Sequence, residues 1–371
     1  MIEELSEWFI PDKILFRENQ KEVVERVFKN FKNGEDADNL FVSGYSGVGK
    51  TLLMNIIIQD KSLHKYINAK DYNTTRRLFS ALQNSKKQMT CDIVQEFIES
   101  MKNNPKILVI DEVGEIKDIE ELGKQLDNIY RKLQTPIILI TNKLNFLNQF
   151  PESTRKTIFF TPLNFQAYTQ EQLSLILLDR LNLIHQKYNG RYGNIPENAR
   201  DFICHIAEES YGSSVRVVFD VARKCIQNKC YSGNFIKAIA NQIENEEAIT
   251  YVNKLSKMDR LFLTDFFEIA KKKMPLSTSD ILENMKDISV SRVAQLLTVF
   301  VKDYGLLTEK YQNLGRARGR FRVFNFRNEK FACQVYEALH PEIVSNTQDS
   351  LDIIINQDRE GKIKEGEIKN V

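Results

Sequence analysis

The apolar positions of residues 17–32 (RENQKEVVERVFKNFK) recur at helical spacing, and the polar stretch 34–39 stops that helix before the run Leu40-Phe41-Val42. The order that follows is strand, glycine-rich loop, helix. Asn104-Pro105 ends a further helix, after which Lys106-Ile107-Leu108-Val109-Ile110 forms a short continuous apolar run, as a parallel strand buried on both faces requires. Pro136-Ile137-Ile138-Leu139-Ile140 is a second such run. Strands alternating with helices predict an α/β layer with a parallel sheet and flanking helices. From Thr169 to about Thr250 the pattern turns purely helical, which predicts a small helical domain. Residues 255–327 then read as helices followed by a two-strand ribbon, GLLTEKYQ and RFRVFNF, joined by the segment 313–319, the pattern of a winged helix. The expected domains are residues 1–161 (nucleotide-binding α/β domain), 162–250 (helical lid), 251–327 (winged helix) and 328–371 (a C-terminal helix and a tail that frays).

A chain of 371 residues is too long for one ordinary core, in keeping with that division. Its 42% apolar and 27% charged residues are those of a soluble globular protein. No run of eighteen apolar residues occurs, and the start MIEELSEWF has acids where a secretory signal needs bases, so a cytoplasmic protein with no membrane partner is expected. The five cysteines form no CxxC pair and the four histidines are scattered, which supports neither a zinc site nor a disulfide framework. The net charge of +2 is unevenly spread: residues 255–327 hold 14 lysines and arginines against 8 aspartates and glutamates. That asymmetry points to an anionic partner for one module.

Gly44-Tyr45-Ser46-Gly47-Val48-Gly49-Lys50-Thr51 fits GxxxxGK[ST] in full and lies between an apolar strand and a helix. Backbone N–H groups of such a loop turn inward around phosphates, and the following helix adds its positive end. Lys50 would neutralise the β- and γ-phosphates of ATP, and Thr51 would ligate Mg2+ through its hydroxyl. Asp111 and Glu112 close the strand 107–110: Asp111 would hold the magnesium, and Glu112 would polarise the attacking water as general base. Asn142 follows the next apolar strand, where it could orient that water. Arg216, near the start of a helix in the helical domain, could reach back to the γ-phosphate and report whether ATP or ADP is bound.

Together these pieces resemble an AAA+ ATPase. The flanks narrow the resemblance. Ile10-Pro11 through Leu15-Phe16-Arg17-Glu18, the DEV at 111–113, Phe165-Gln166-Ala167-Tyr168-Thr169 before the helical domain and the appended winged helix look like the archaeal replication initiators related to origin-recognition-complex and Cdc-six proteins. The resemblance covers roughly residues 8–327. It implies recognition of double-stranded origin DNA, ATP used as a slowly hydrolysed switch, recruitment of a replicative helicase of the MCM type, and a second initiator copy on the DNA. Carried over, Lys50, Thr51, Asp111, Glu112 and Asn142 match the phosphate loop, acidic motif and first sensor, and Arg216 matches the second sensor. Ile10, Pro11 and Arg17 fall among the nucleotide-binding positions, and Arg155 at that of the arginine finger. Three departures stand out: Gly114 replaces the usual acid, the lid motif reads GSSVR with one residue more than GDxR, and 152–157 is an imperfect match. The family's DNA-distorting insertion would fall within 74–90, where Arg76-Arg77 and Lys86-Lys87 are the basic pairs.

In the basic module, Ser277 to Asp280 caps one helix, and 287–289 turns into a second from Val290 to Tyr304, whose apolar residues Val293, Leu296, Leu297, Phe300 and Val301 recur at helical spacing. Ser291, Arg292 and Gln295 are left to face a major groove. Arg316, Arg318, Arg320 and Arg322 would lie along phosphates or enter a minor groove. Two rival readings remain. A signalling ATPase of the STAND type would carry GxP in its lid, and 212–220 has no proline. A helicase-loading or transposition ATPase would act through protein contacts and bind DNA without sequence preference.

Overall fold

The computed structural model describes residues 2–340 except 7, 59–61, 191, 193, 211, 286–287, 303, 305, 314–319 and 328. They fall into two compact units, Met1–Lys229 and Cys230–Val371. The first begins with α1 (Glu18–Asn33), β1 (Asn39–Gly44), α2 (Lys50–Ile57), β2 (His64–Asn68), α3 (Thr75–Gln83) and α4 (Thr90–Lys102). It continues with β3 (Ile107–Asp111), α5 (Ile119–Leu133), β4 (Ile137–Thr141), α6 (Glu152–Thr157) and β5 (Phe160–Phe165), and ends on α7 (Gln170–Lys187), α8 (Glu197–Ser210) and α9 (Val215–Asn228). The strands form one parallel sheet in the order β2-β3-β4-β1-β5.

The three inner strands, β1, β3 and β4, are buried at every position, because helices cover both faces of a parallel sheet. Val94, Phe97 and Ile98 of α4 and Leu122, Leu126 and Ile129 of α5 pack with strand residues Leu108, Ile110, Ile137 and Leu139 into one core. The shared direction of the strands brings Gly44, Asp111 and Thr141 to the same, C-terminal edge of the sheet, where open α/β sheets bind their ligands. A capping box opens α7, Thr169 receiving the Gln172 amide while the Gln172 side chain receives that of Thr169.

The second unit holds α10 (Gly233–Lys254), α11 (Lys257–Ala270), β6 (Leu276–Ser277), α12 (Thr278–Asn284), α13 (Val290–Lys302), β7 (Leu307–Asn313), β8 (Arg320–Phe326) and α14 (Glu329–Leu339). Its strands make an antiparallel sheet in the order β6-β8-β7, so the ribbon expected from the sequence is present as β7 and β8, with Leu307 opposite Phe326 and Asn313 opposite Arg320. A core of Phe262, Phe266, Leu297, Phe300 and Phe324 joins α11, α13 and the sheet. The sequence reading groups α10 with the helices before it; the compact units place it with the winged helix, where Ala248 and Val252 enter the same core. Residues 341–371, the expected tail, lie outside the described residues. Among the described residues no helix is long and apolar enough to cross a membrane.

Candidate functional site

In the first unit the loop between β1 and α2 and the ends of β2 and β3 meet at one cavity of about 690 Å³. Its lining includes Ser46, Gly47, Gly49, Lys50 and Thr51 of the glycine-rich loop, Glu112 after β3, and Arg216 at the start of α9. The loop is fixed from two sides. Gly47 has φ +77°, and a Cβ there would collide with the Ser214 hydroxyl, so glycine is required both for the turn and for the close approach of α9. The Val215 amide donates to the Gly47 carbonyl at 3.3 Å, which ties α9 to the loop directly.

Lys50 is buried, and its ammonium donates to the carbonyls of Gly44 (2.8 Å) and Tyr45 (2.7 Å). Burial lowers its pKa, Glu112 and Asp111 pull it back up, and Arg216 pushes it down again. Arg216 therefore acts electrostatically on the lysine at the heart of the loop. Thr51 donates its hydroxyl proton to Asp111 Oδ2 at 2.7 Å, the Tyr66 hydroxyl donates to the same oxygen at 3.0 Å, and Asp111 Oδ1 accepts from the Glu112 amide at 2.8 Å. Burial raises the Glu112 carboxyl, the neighbouring Asp111 raises it further, and Lys50 opposes both. Glu112 also has a left-handed backbone, φ +51°, a strained state that costs about 1–3 kcal/mol and clusters at functional sites.

The loop after β3 is clamped by a neighbour the sequence reading did not single out. The Lys143 ammonium donates to the Gly114 carbonyl at 2.5 Å. A Cβ on Gly114 would stand 2.6 Å from the Thr141 hydroxyl and 3.1 Å from Lys143 Cδ. The end of β4 and the Lys143 side chain thus occupy the space that a side chain at 114 would need.

Not every expected residue reaches the cavity. Asn142 stands exposed just beyond β4, beside the strand that carries Asp111, but outside the lining. Arg155 is exposed on α6, also outside it. Ile10 and Pro11 do line the cavity. Arg17 is a buried clamp rather than a wall: it donates to the carbonyls of Val48 (3.2 Å) and Gln166 (2.7 Å) and lies over the Tyr168 ring at 3.8 Å. It holds the glycine-rich loop against the chain entering α7. Asn68 and Lys70, which also line the cavity, and Tyr66 carry no signal in the sequence, because β2 has no continuous apolar run to announce it. The donor set suits magnesium. Among the described residues no cluster of three His, Cys, Asp or Glu side chains could hold a metal alone, whereas a threonine hydroxyl beside a carboxylate offers hard oxygens to an ion shared with phosphate and water.

In the second unit, Ser277 opens α12 through a capping box with Asp280, and α13 buries Val293, Leu296, Leu297 and Phe300. Ser291 and Gln295 are exposed, and Arg292 donates to Gln295 Oε1 at 2.7 Å. Arg322 is engaged in a two-pronged ion pair with Glu309 at 2.7 and 2.8 Å, so a phosphate contact from it would have to compete with that pair. Arg320 opens β8; Arg316 and Arg318 lie outside the described residues.

The fold and the cavity define the class: a P-loop fold of the AAA type, with a parallel-sheet domain followed by helices and a winged helix. A family profile described as an AAA domain matches residues 36–169. The chain is 23% identical over 361 residues to ORC1-type DNA replication protein 2 of Thermoplasma acidophilum, covering 86% of this chain and 87% of that protein. It is 25% identical over 243 residues to the human Cell division control protein 6 homolog, covering 59% of this chain but only 41% of the human protein. Among solved structures, that of the Aeropyrum pernix ORC1 protein in complex with DNA matches with a TM-score of 0.71 at 18% identity, over 91% of this chain and 95% of that one. The resemblance to archaeal replication initiators read from the sequence is borne out by these relatives.

Proposed function

We propose that the protein is an ATP-dependent DNA replication initiator, which binds double-stranded origin DNA through its winged helix and uses ATP binding and slow hydrolysis to switch recruitment of an MCM-type helicase. The observation that carries this reading is the conjunction, in one chain, of a complete nucleotide cavity with a helix, α13, that carries Ser291, Arg292 and Gln295 outside its buried face. The relatives' names supply the biological setting, since two are DNA replication or cell-division proteins and the structural neighbour was solved with DNA.

In this reading Lys50 neutralises phosphate charge from a buried position, and the backbone N–H groups of 44–51 cradle the phosphates. Thr51 and Asp111 hold Mg2+, which when bound neutralises the charge on the phosphates. Glu112 takes the proton of the attacking water, Arg216 carries the state of the cavity to α9, and Asn142, exposed beyond the adjacent strand end, would have to turn inward to orient that water. Arg155 would serve the cavity of a second copy on DNA, and the basic pairs at 76–77 and 86–87 would add a further DNA contact. The DNA flanking its own gene is the place to test the reading by footprinting with ATP and with ADP. Initiator function requires discrete protected sites there that differ between the two nucleotides. Uniform, sequence-independent protection would favour the loader reading instead.

A further inference from the structure

The mouth of the nucleotide cavity carries the most exposed large apolar side chain among the described residues. Trp8 is 83% exposed, yet belongs to the lining of the same cavity as Lys50, Thr51 and Glu112. The backbone around it is pinned. The Ser6 amide donates to Glu3 O at 2.8 Å and the Phe9 amide to Ser6 O at 3.3 Å, hydrogen bonds that lie on either side of Trp8. On one side Leu5 is fully buried and the Glu4 carboxylate pairs with Lys187 of α7 at 2.7 Å. On the other, the Phe9 ring lies 4.7 Å from the Arg180 guanidinium, which is itself 5.4 Å from the Phe219 ring. Phe219 stands three residues on from Arg216, on the face of α9 that lines the cavity.

Trp8 thus presents an exposed aromatic face at the mouth of the cavity, where a flat ring entering the cavity can cover it. The lining offers one candidate by its chemistry. Cationic and hydroxyl groups, Lys50, Thr51 and Arg216, suit phosphates, while Ile10, Pro11, Ile176 and Phe219 suit an apolar ring. We propose that Trp8 stacks on the purine base of the bound nucleotide and closes the cavity over it, with Arg180 as the positioning residue that holds the adjoining Phe9 beside α7 and α9. This rests on the nucleotide reading above and adds a base-recognising residue to it.

Trp8 is the single tryptophan of the chain, so its emission reports on this site alone. The intact protein is titrated with ATP while emission and, in parallel, calorimetric heat are followed. Stacking predicts saturable quenching with the calorimetric Kd. Trp8→Ala should weaken ATP binding by roughly fivefold or more, within the range of base–aromatic stacking, and Trp8→Phe should restore most of it. Affinity for tripolyphosphate, which has no base, should be equal in wild type and Trp8→Ala, and the preference for ATP over CTP should narrow in the variant. ATP binding by calorimetry with unchanged emission and an unaffected Trp8→Ala variant overturns the proposal while leaving the nucleotide reading intact. Equal losses of ATP and tripolyphosphate binding overturn it too, since they assign Trp8 a general structural part. A wild-type protein that binds no ATP overturns both.

Discussion

At Glu112 burial and the adjacent Asp111 both push the carboxyl above the usual glutamate range, and Lys50 restores it only in part. A general base must be ionised to accept a proton, so turnover falls as pH drops through its pKa. Raising that pKa in the free protein moves the acid limb of kcat/KM to higher pH than an ordinary glutamate would give. Glu112→Gln keeps the shape and leaves Thr51 and Asp111 in place, so ATP binding should survive while turnover falls by roughly 10²-fold or more. Single-turnover assays across pH check both points: the residual activity of the variant should lack the acid limb, and loss of binding instead would remove the base assignment. Gly47 gives a second expectation of the same scale. Alanine there takes on a left-handed backbone and a collision with Ser214, each enough to shift the loop. The backbone strain alone costs the folded state about 1–2 kcal/mol, so Gly47→Ala should lower the thermal midpoint, and the displaced loop should also weaken ATP binding in calorimetry.

Among the elements, the inner strands were readable and the edges were not. β1, β3 and β4 are buried along their whole length, and burial on both faces writes an unbroken apolar run into the sequence. β2 and β5 form the two edges of the sheet. Edge strands are partly solvated, so polar residues interrupt them, and β5 even carries Pro162, which an edge tolerates and a central strand does not. Tyr66, Asn68 and Lys70 were missed for that reason: a site residue is found in a sequence only when its element is. The winged helix was legible because its signals are local, a capping box, an amphipathic helix and a turn between two alternating strands. Helix α12 offers a test. Ser277 accepts the Asp280 amide, and hydrogen bonds from Ser277 with the nearby Lys273 draw Asp280 down to about 2. Ser277→Ala should cost about 1 kcal/mol, seen as a lower denaturation midpoint in urea. A carboxylate whose pKa falls on folding stabilises above its unfolded value, near 3.8, and that contribution is lost as pH drops toward 2. The wild-type and Ser277→Ala midpoints should therefore converge on acidification through that window.

Across the molecule, charge is divided by task. Residues 255–327 contain 14 basic against 8 acidic side chains while the whole chain carries only +2, so the remaining residues are net acidic. A chain so arranged is drawn to a polyanion by one part, and phosphate contacts then fix register while base edges carry sequence. The two kinds of contact respond differently to salt and to sequence. Replacing Arg316 and Arg318 together by alanine should weaken binding to any duplex and flatten its salt dependence, by about 0.9 counterion per lost phosphate contact. Arg322, already paired with Glu309, should contribute less to that slope than its neighbours in the sequence. Arg292 stands on α13 with its guanidinium joined to Gln295, an arrangement that can present both side chains to one base step. Arg292→Ala should cost about 1–3 kcal/mol on the cognate site and much less on random DNA. Fluorescence anisotropy on both duplexes across a salt series, at fixed ATP, separates these outcomes. Should Arg316, Arg318 and Arg292 all prove silent on both duplexes, the winged helix docks protein rather than DNA, and the chain acts as a loader recruited by its partners.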